Sequence, residues 1–161
     1  MNLKPVKIAF RVDADTLVGT WHLMEIITLV KALKKTLGFR PLVITKYNKF
    51  TVDKLKKNNI RNLIVIPKNI PERKEEEKVN VVLRKENCAG LITDLLNYSN
   101  GYYKYLAARL KNLFVILDTS EAKEVPAAVA VNFSITQDKK FYHAGNRYRT
   151  KYLIGPRYFP F

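Results

Sequence analysis

The chain has 161 residues, 47% of them hydrophobic, with nine Tyr and eight Phe; this excludes a disordered polymer and suits one domain, 1–161, with a sizeable core. Its single cysteine, Cys88, excludes an internal disulfide framework and paired-cysteine metal sites. The net charge of +15 attracts polyanions and phosphorylated ligands, but the Lys residues are scattered and form no compact basic block, so nucleic acid is not the leading partner.

The first predicted element is the β-rich run "VKIAF" at 6–10, which suits a buried strand. It leaves through "RVDADTLVGTWH", a charged turn that ends in an imidazole. From His22 the apolar positions Leu23, Ile26, Ile27, Val30, Leu33 and Leu37 recur at helical spacing, and Gly38 supplies the stop. "RPLVITKY" reads as a second strand, and Asn48 or Thr51 can cap the short helix "VDKLKKNN". "NLIVIP" is a third strand. Pro71 then sits in the first turn of a helix through "ERKEEEKVNVVLRKEN", whose early Glu run complements the helix dipole and whose Val79, Val82 and Leu83 form an apolar stripe.

"AGLITDLL" is a fourth strand ending in Asp94, followed by a helix over 100–111 with Tyr102, Tyr105, Leu106 and Leu110 on one face. "LFVILDTS" is a fifth strand ending in Asp118, and "AAVAVNFS" a sixth ending at Asn132. After the polar stretch "TQDKKFYHAGNRYRTK" comes a last short strand in "YLIGPRY". The longest apolar runs are too short to span a bilayer, and "MNLKPVKIAF" has neither the apolar stretch nor the cleavage site of a signal peptide. The expected setting is cytoplasmic.

Alternation of strands and helices, with near-continuous apolar strands, implies an α/β, Rossmann-like three-layer domain: a mostly parallel sheet of about six to seven strands covered on both faces. Right-handed crossovers place the carboxyl ends of all strands on one edge. Asp13, Asp94, Asp118 and Asn132 fall at or just beyond such ends, where open α/β sheets bind ligands, although Asp and Asn also make ordinary turns and caps. In the opening turn Gly19 permits positive φ or close approach. Thr20 is the expected N-cap, leaving the amides of Trp21, His22 and Leu23 outward as an anion site. The positive helix end disfavours an imidazolium at His22, which makes a proton-accepting ring reasonable; a His packed and hydrogen-bonded locally is the alternative.

The stretch "FRVDADTLVGTWHLMEIITLVKAL" resembles the amino-terminal signature of the UDP-sugar hydrolase of pseudaminic acid biosynthesis and its spore-coat polysaccharide relatives, approximately R-x-D-x-x-x-x-x-G-x-G-H-x-x-R before a helix. "GLITDLL", "FVILDTS" and "AVAVN" resemble that family's later strands ending in Asp, an acid and Asn, and "YLIGPRYFPF" its closing segment. The resemblance implies a GT-B architecture, of which this sequence corresponds to the amino-terminal, Rossmann-like half. It further implies a nucleotide-sugar substrate, with His22 activating the water that attacks the anomeric carbon and releases UDP. Arg11, Asp13, Gly19, Thr20, Asp94, Asn132, Arg157 and Tyr158 would bind or organise the substrate; no metal or other cofactor is implied, and no metal-ligand cluster is visible in the sequence. A separate carboxy-terminal nucleotide-binding domain, or a homo-oligomer, would complete the clasp.

The chain departs from the family pattern at Trp21 (for Gly), Glu25 (for Arg) and Leu95 and Leu96 (for a polar residue and Tyr). Those departures favour a second reading, a non-catalytic sugar- or anion-binding module on the same fold. A third reading, nucleic-acid binding, draws on the charge and on "FYHAGNRYRTKY", where His143, Arg147 and Arg149 could line a backbone groove.

Overall fold

The computed structural model describes residues 5–15, 19–117, 124–136, 140, 142 and 147–159. Seven strands form one sheet in which every neighbouring pair is parallel. They are β1 (Lys7–Val12), β2 (Arg40–Lys46), β3 (Leu63–Ile66), β4 (Gly90–Asp94), β5 (Leu113–Ile116), β6 (Val129–Asn132) and β7 (Lys151–Ile154), in the order β3-β2-β1-β4-β5-β6-β7. The expected Rossmann-like α/β domain is therefore present.

Among the described residues four named α-helices join the strands: α1 (Trp21–Leu37), α2 (Lys49–Lys57), α3 (Glu72–Lys85) and α4 (Asn100–Ala107). Local chemistry sets their ends. Gly38 closes α1 in the left-handed conformation, φ 64°. The Asn48 side chain caps α2 by accepting from the Thr51 amide at 3.2 Å, and Ser99 does the same for α4 through Tyr102. Helix α4 is shorter than the sequence pattern predicts. After Ala107 the Arg109 amide bonds the Leu106 carbonyl three residues back, which tightens the chain into a turn before β5.

The direction of chain travel decides which face each helix covers. From β1 the chain moves outward one way through β2 to β3, and α1 and α2 pack on one face: Leu23, Ile26, Ile27, Val30 and Leu55 against Phe10, Val12 and Val43. From β3 it crosses back and travels the other way, and α3 and α4 pack on the opposite face: Val79, Leu83, Tyr102 and Leu106 against Ala9, Ile44, Leu91 and Val115. Val125 and Tyr142, from the connections into β6 and β7, are buried in that second cluster too. The expected cover on both faces is therefore incomplete: among the described residues no helix covers β4–β7 on the α1 side. A groove of about 430 Å³ runs there, lined by Leu29, Leu33, Ile92, Phe114, Val131 and Leu153 among others.

One close approach fixes the start of β4. A Cβ on Gly90 would stand 2.9 Å from the Asn112 carbonyl oxygen, which already accepts from the Leu91 amide at 2.9 Å. Backbone cannot swing aside as a side chain can. Gly90→Ala should cost about 1–3 kcal/mol, read as a lower urea midpoint at unchanged slope. No helix among the described residues is long and apolar enough to cross a membrane.

Candidate functional site

Strands β1 and β4 are neighbours, yet the chain leaves their carboxyl ends in opposite directions, to β2 and to β5. Such a switch point opens a crevice at the strand ends. His22, in the first turn of α1, and Asp94, the last residue of β4, meet there: Nδ1 of His22 lies 2.6 Å from Oδ1 of Asp94. Both are buried, with the His22 side chain 10% exposed and the Asp94 side chain 1%. A carboxylate can only accept, so Nδ1 carries a proton, and in the neutral ring the lone pair is then at Nε2. Asp94 thereby orients the ring and can stabilise an imidazolium that forms during proton transfer. Its other oxygen, Oδ2, is buried without a hydrogen-bond partner among the described residues.

Glu25 lies three residues beyond His22 on the same helical face, 2% exposed. His22, Glu25 and Asp94 each present a donor atom within 4.8 Å of the others.

On the other side of β1 lies a second polar group. Arg11 is wholly buried, and its guanidinium holds Asp13 with both terminal nitrogens, at 2.5 and 2.7 Å, while Nε donates to Glu75 at 2.9 Å. It also donates to the Tyr98 hydroxyl at 3.0 Å, which in turn donates to Glu75. Lys46 reaches Glu75 at 3.0 Å, and its amide bonds Asp13. Arg11 thus acts through its neighbours, while Asp13 faces a cavity of about 240 Å³ together with Lys46, Asn48, Lys68, Leu96 and Tyr98. The carboxyl ends of β1 to β4 all border this cavity, as the crevice rule expects.

Burial alone would raise the Asp13 carboxyl, but the charge and hydrogen bonds of Arg11, followed by the Lys46 amide, hold it below the ordinary carboxylate range. Burial likewise pushes the Tyr98 phenol upward; Arg11 opposes this and Asp13 and Glu75 add to it. A lowered folded-state value stabilises the fold above the unfolded Asp value of about 4, and that contribution disappears as pH falls through the folded value. The stability difference between wild type and Asp13→Asn should therefore shrink on acidification below about pH 4, measured by urea titrations at each pH.

The remaining sequence candidates are distributed along the rim. Gly19 has φ 82° and closes a tight turn, its amide bonding the Asp15 carbonyl at 2.9 Å. Thr20 occupies the cap position but makes no side-chain cap bond. Its backbone is helical, φ −108° and ψ −4°, rather than the extended form that aims a hydroxyl at the first-turn amides. Asn132 is buried at the end of β6, donating to the Tyr142 hydroxyl and accepting from the Ser134 amide. Arg157 is exposed and bonds the Tyr158 hydroxyl at 2.6 Å, in a short 3-10 helix (Pro156–Tyr158) after β7. From there the chain returns to α1, where Phe159 stacks on Trp21 at 5.6 Å and meets Phe133 edge-on. The closing segment and the opening turn thus meet. Asp118 and His143 lie outside the described residues.

Sequence reading did not group Glu25 with His22, or Glu75 and Tyr98 with Arg11. The spacing of His22 and Glu25 carries a signal, since both fall on one helical face. Glu75 lies in a run of acids, Glu75–Glu77, and nothing local in the sequence distinguishes it from them. No protein-family model matches the chain, and no curated protein matches it significantly.

Proposed function

We propose that the chain is the amino-terminal-type half of a nucleotide-sugar hydrolase, of the kind its sequence resembles, and that His22 is its general base. The observation that carries this reading is the 2.6 Å contact between His22 Nδ1 and Asp94 Oδ1 at the β1–β4 crevice. The Nε2 lone pair takes a proton from water as the water oxygen attacks the anomeric carbon. The bond from that carbon to the phosphate oxygen breaks, and UDP leaves with the electron pair. Asp94 holds the resulting imidazolium until it gives up its proton. Arg11 fixes Asp13 at the neighbouring cavity, where Lys46 and Lys68 favour an anionic or hydroxyl-rich group. The nucleotide would be gripped by a second domain or a second copy of the chain, in the cytoplasm where activated sugars are used.

The test is hydrolysis of UDP-linked acetamido sugars in a chelating buffer, with UDP and free sugar both quantified. Release of both in equal amounts by the wild type supports the proposal. A second reading, sugar or anion binding without turnover, draws on the near-complete burial of His22. Calorimetric binding of the same compounds with no product would favour it, and a loss of binding as salt rises against nucleic acid would instead point to a polyanion partner.

A further inference from the structure

We infer that His22, Glu25 and Asp94 form a binding site for one first-row divalent ion of the zinc or cobalt class. One imidazole and two carboxylates are a donor set these ions accept, and three protein ligands with an open fourth position is the arrangement of reactive zinc sites. His22 and Glu25 come from one turn of α1, and Asp94 from the end of β4, so two rigid elements hold the set. The three donor atoms already lie within 4.8 Å of one another. Around a tetrahedral ion with bonds of about 2.0–2.2 Å, donors stand about 3.4 Å apart; a set spread over no more than 4.8 Å, with His22 Nδ1 and Asp94 Oδ1 now 2.6 Å apart, reaches that by side-chain rotation.

A second observation comes from Asp94 itself. Its carboxylate is 1% exposed, its Oδ1 faces His22, and its Oδ2 has no hydrogen-bond partner among the described residues. Buried carboxylate oxygens are ordinarily satisfied, and a cation beside His22 and Glu25 satisfies this one. The cysteine offers no competing ligand: it is not in the cluster, and burial pushes the Cys88 thiol up to about 11, which keeps it protonated and poorly ligating near neutral pH.

Ion binding depends on the donor geometry alone and stands whether or not the chain is a hydrolase. With the ion in place the imidazole lone pair is engaged, so base catalysis by His22 belongs to the metal-free protein.

The experiment is a titration of tag-free, metal-stripped full chain with Co²⁺, followed by calorimetry and visible absorption. One ion per chain is expected, with Co²⁺ absorption bands and a raised Tm. Glu25→Gln and Asp94→Asn should each weaken binding by about tenfold or more, while Cys88→Ser and His143→Gln leave it unchanged. Because a misfolded variant would also lose binding, X-ray absorption on zinc-loaded wild type is read alongside and should give an imidazole within a shell of nitrogen and oxygen only. Failure of the wild type to bind one ion, wild-type affinity in either carboxylate variant, or sulfur in the shell would each overturn the assignment.

Discussion

Replacing Arg11 with Met should lower the unfolding free energy by about 3–5 kcal/mol, a large share of the roughly 5–15 kcal/mol available to a domain. Burial opposes the charge of Arg11, but Asp13, with Tyr98 and Glu75, outweighs it and holds the guanidinium protonated far above its ordinary range. Remove it, and Glu75 is left at 0% exposure with Lys46 as its cationic partner and two phenols as donors. Asp13 loses two hydrogen bonds at once. Lys at position 11 should rescue little, because an ammonium cannot donate through a rigid fork to two carboxylates and a hydroxyl together. The diagnostic is the double variant Arg11→Met with Glu75→Gln. Removing both charges should cost clearly less than the two single changes summed, since the wholly buried Glu75 carboxylate no longer stands without its guanidinium, although Asp13 still loses its two bonds. Additive losses in urea titrations would mean that the pair is not coupled as the geometry says.

The larger kinetic effect should follow loss of the imidazole. If water is activated at Nε2, His22→Ala should reduce hydrolysis of the UDP-linked sugar by about 10²–10⁴-fold, the usual span for a positioned acid–base group. Asp94→Asn should also lose rate. An amide can donate to Nδ1 as well as accept from it, so the ring is no longer held in the tautomer that leaves Nε2 as the base. His22→Ala leaves the buried Asp94 carboxylate without its imidazole, so its Tm should fall, and turnover is compared at a temperature where circular dichroism shows the variant folded. Unchanged turnover in His22→Ala would assign the reaction, if there is one, to other residues. The Asp13 cavity would then be the place to search.

Much of the fold could be read in the sequence because its signals are local. The apolar runs that became β1 to β7 are each bounded by Pro, Gly, Asn or Asp, and α1 announces itself by helical spacing from Leu23 to Leu37. Parallel order and the shared carboxyl edge then follow from crossover handedness, which is why Asp94 could be placed near His22 across 72 residues of chain. What stayed hidden depends on three-dimensional partners. Glu75 looks like its neighbours Glu76, half-buried, and Glu77, exposed, until α3 lays it against Arg11. Thr20 has the right chemistry for a cap but the wrong backbone angle, a quantity no residue type encodes. That no helix among the described residues covers β4–β7 on the α1 side reflects where connections run, not what the strands are made of.

The pairing of His22 with Asp94 is most directly tested by nitrogen-15 NMR of the imidazole rings in metal-free protein. The chain has only two His, so assignment needs one variant, His143→Gln. The account predicts that His22 is protonated at Nδ1, with a slowly exchanging proton shifted far downfield, and that Asp94→Asn abolishes this signal. A His22 ring protonated at Nε2, or one exchanging freely with solvent and indifferent to position 94, would contradict it.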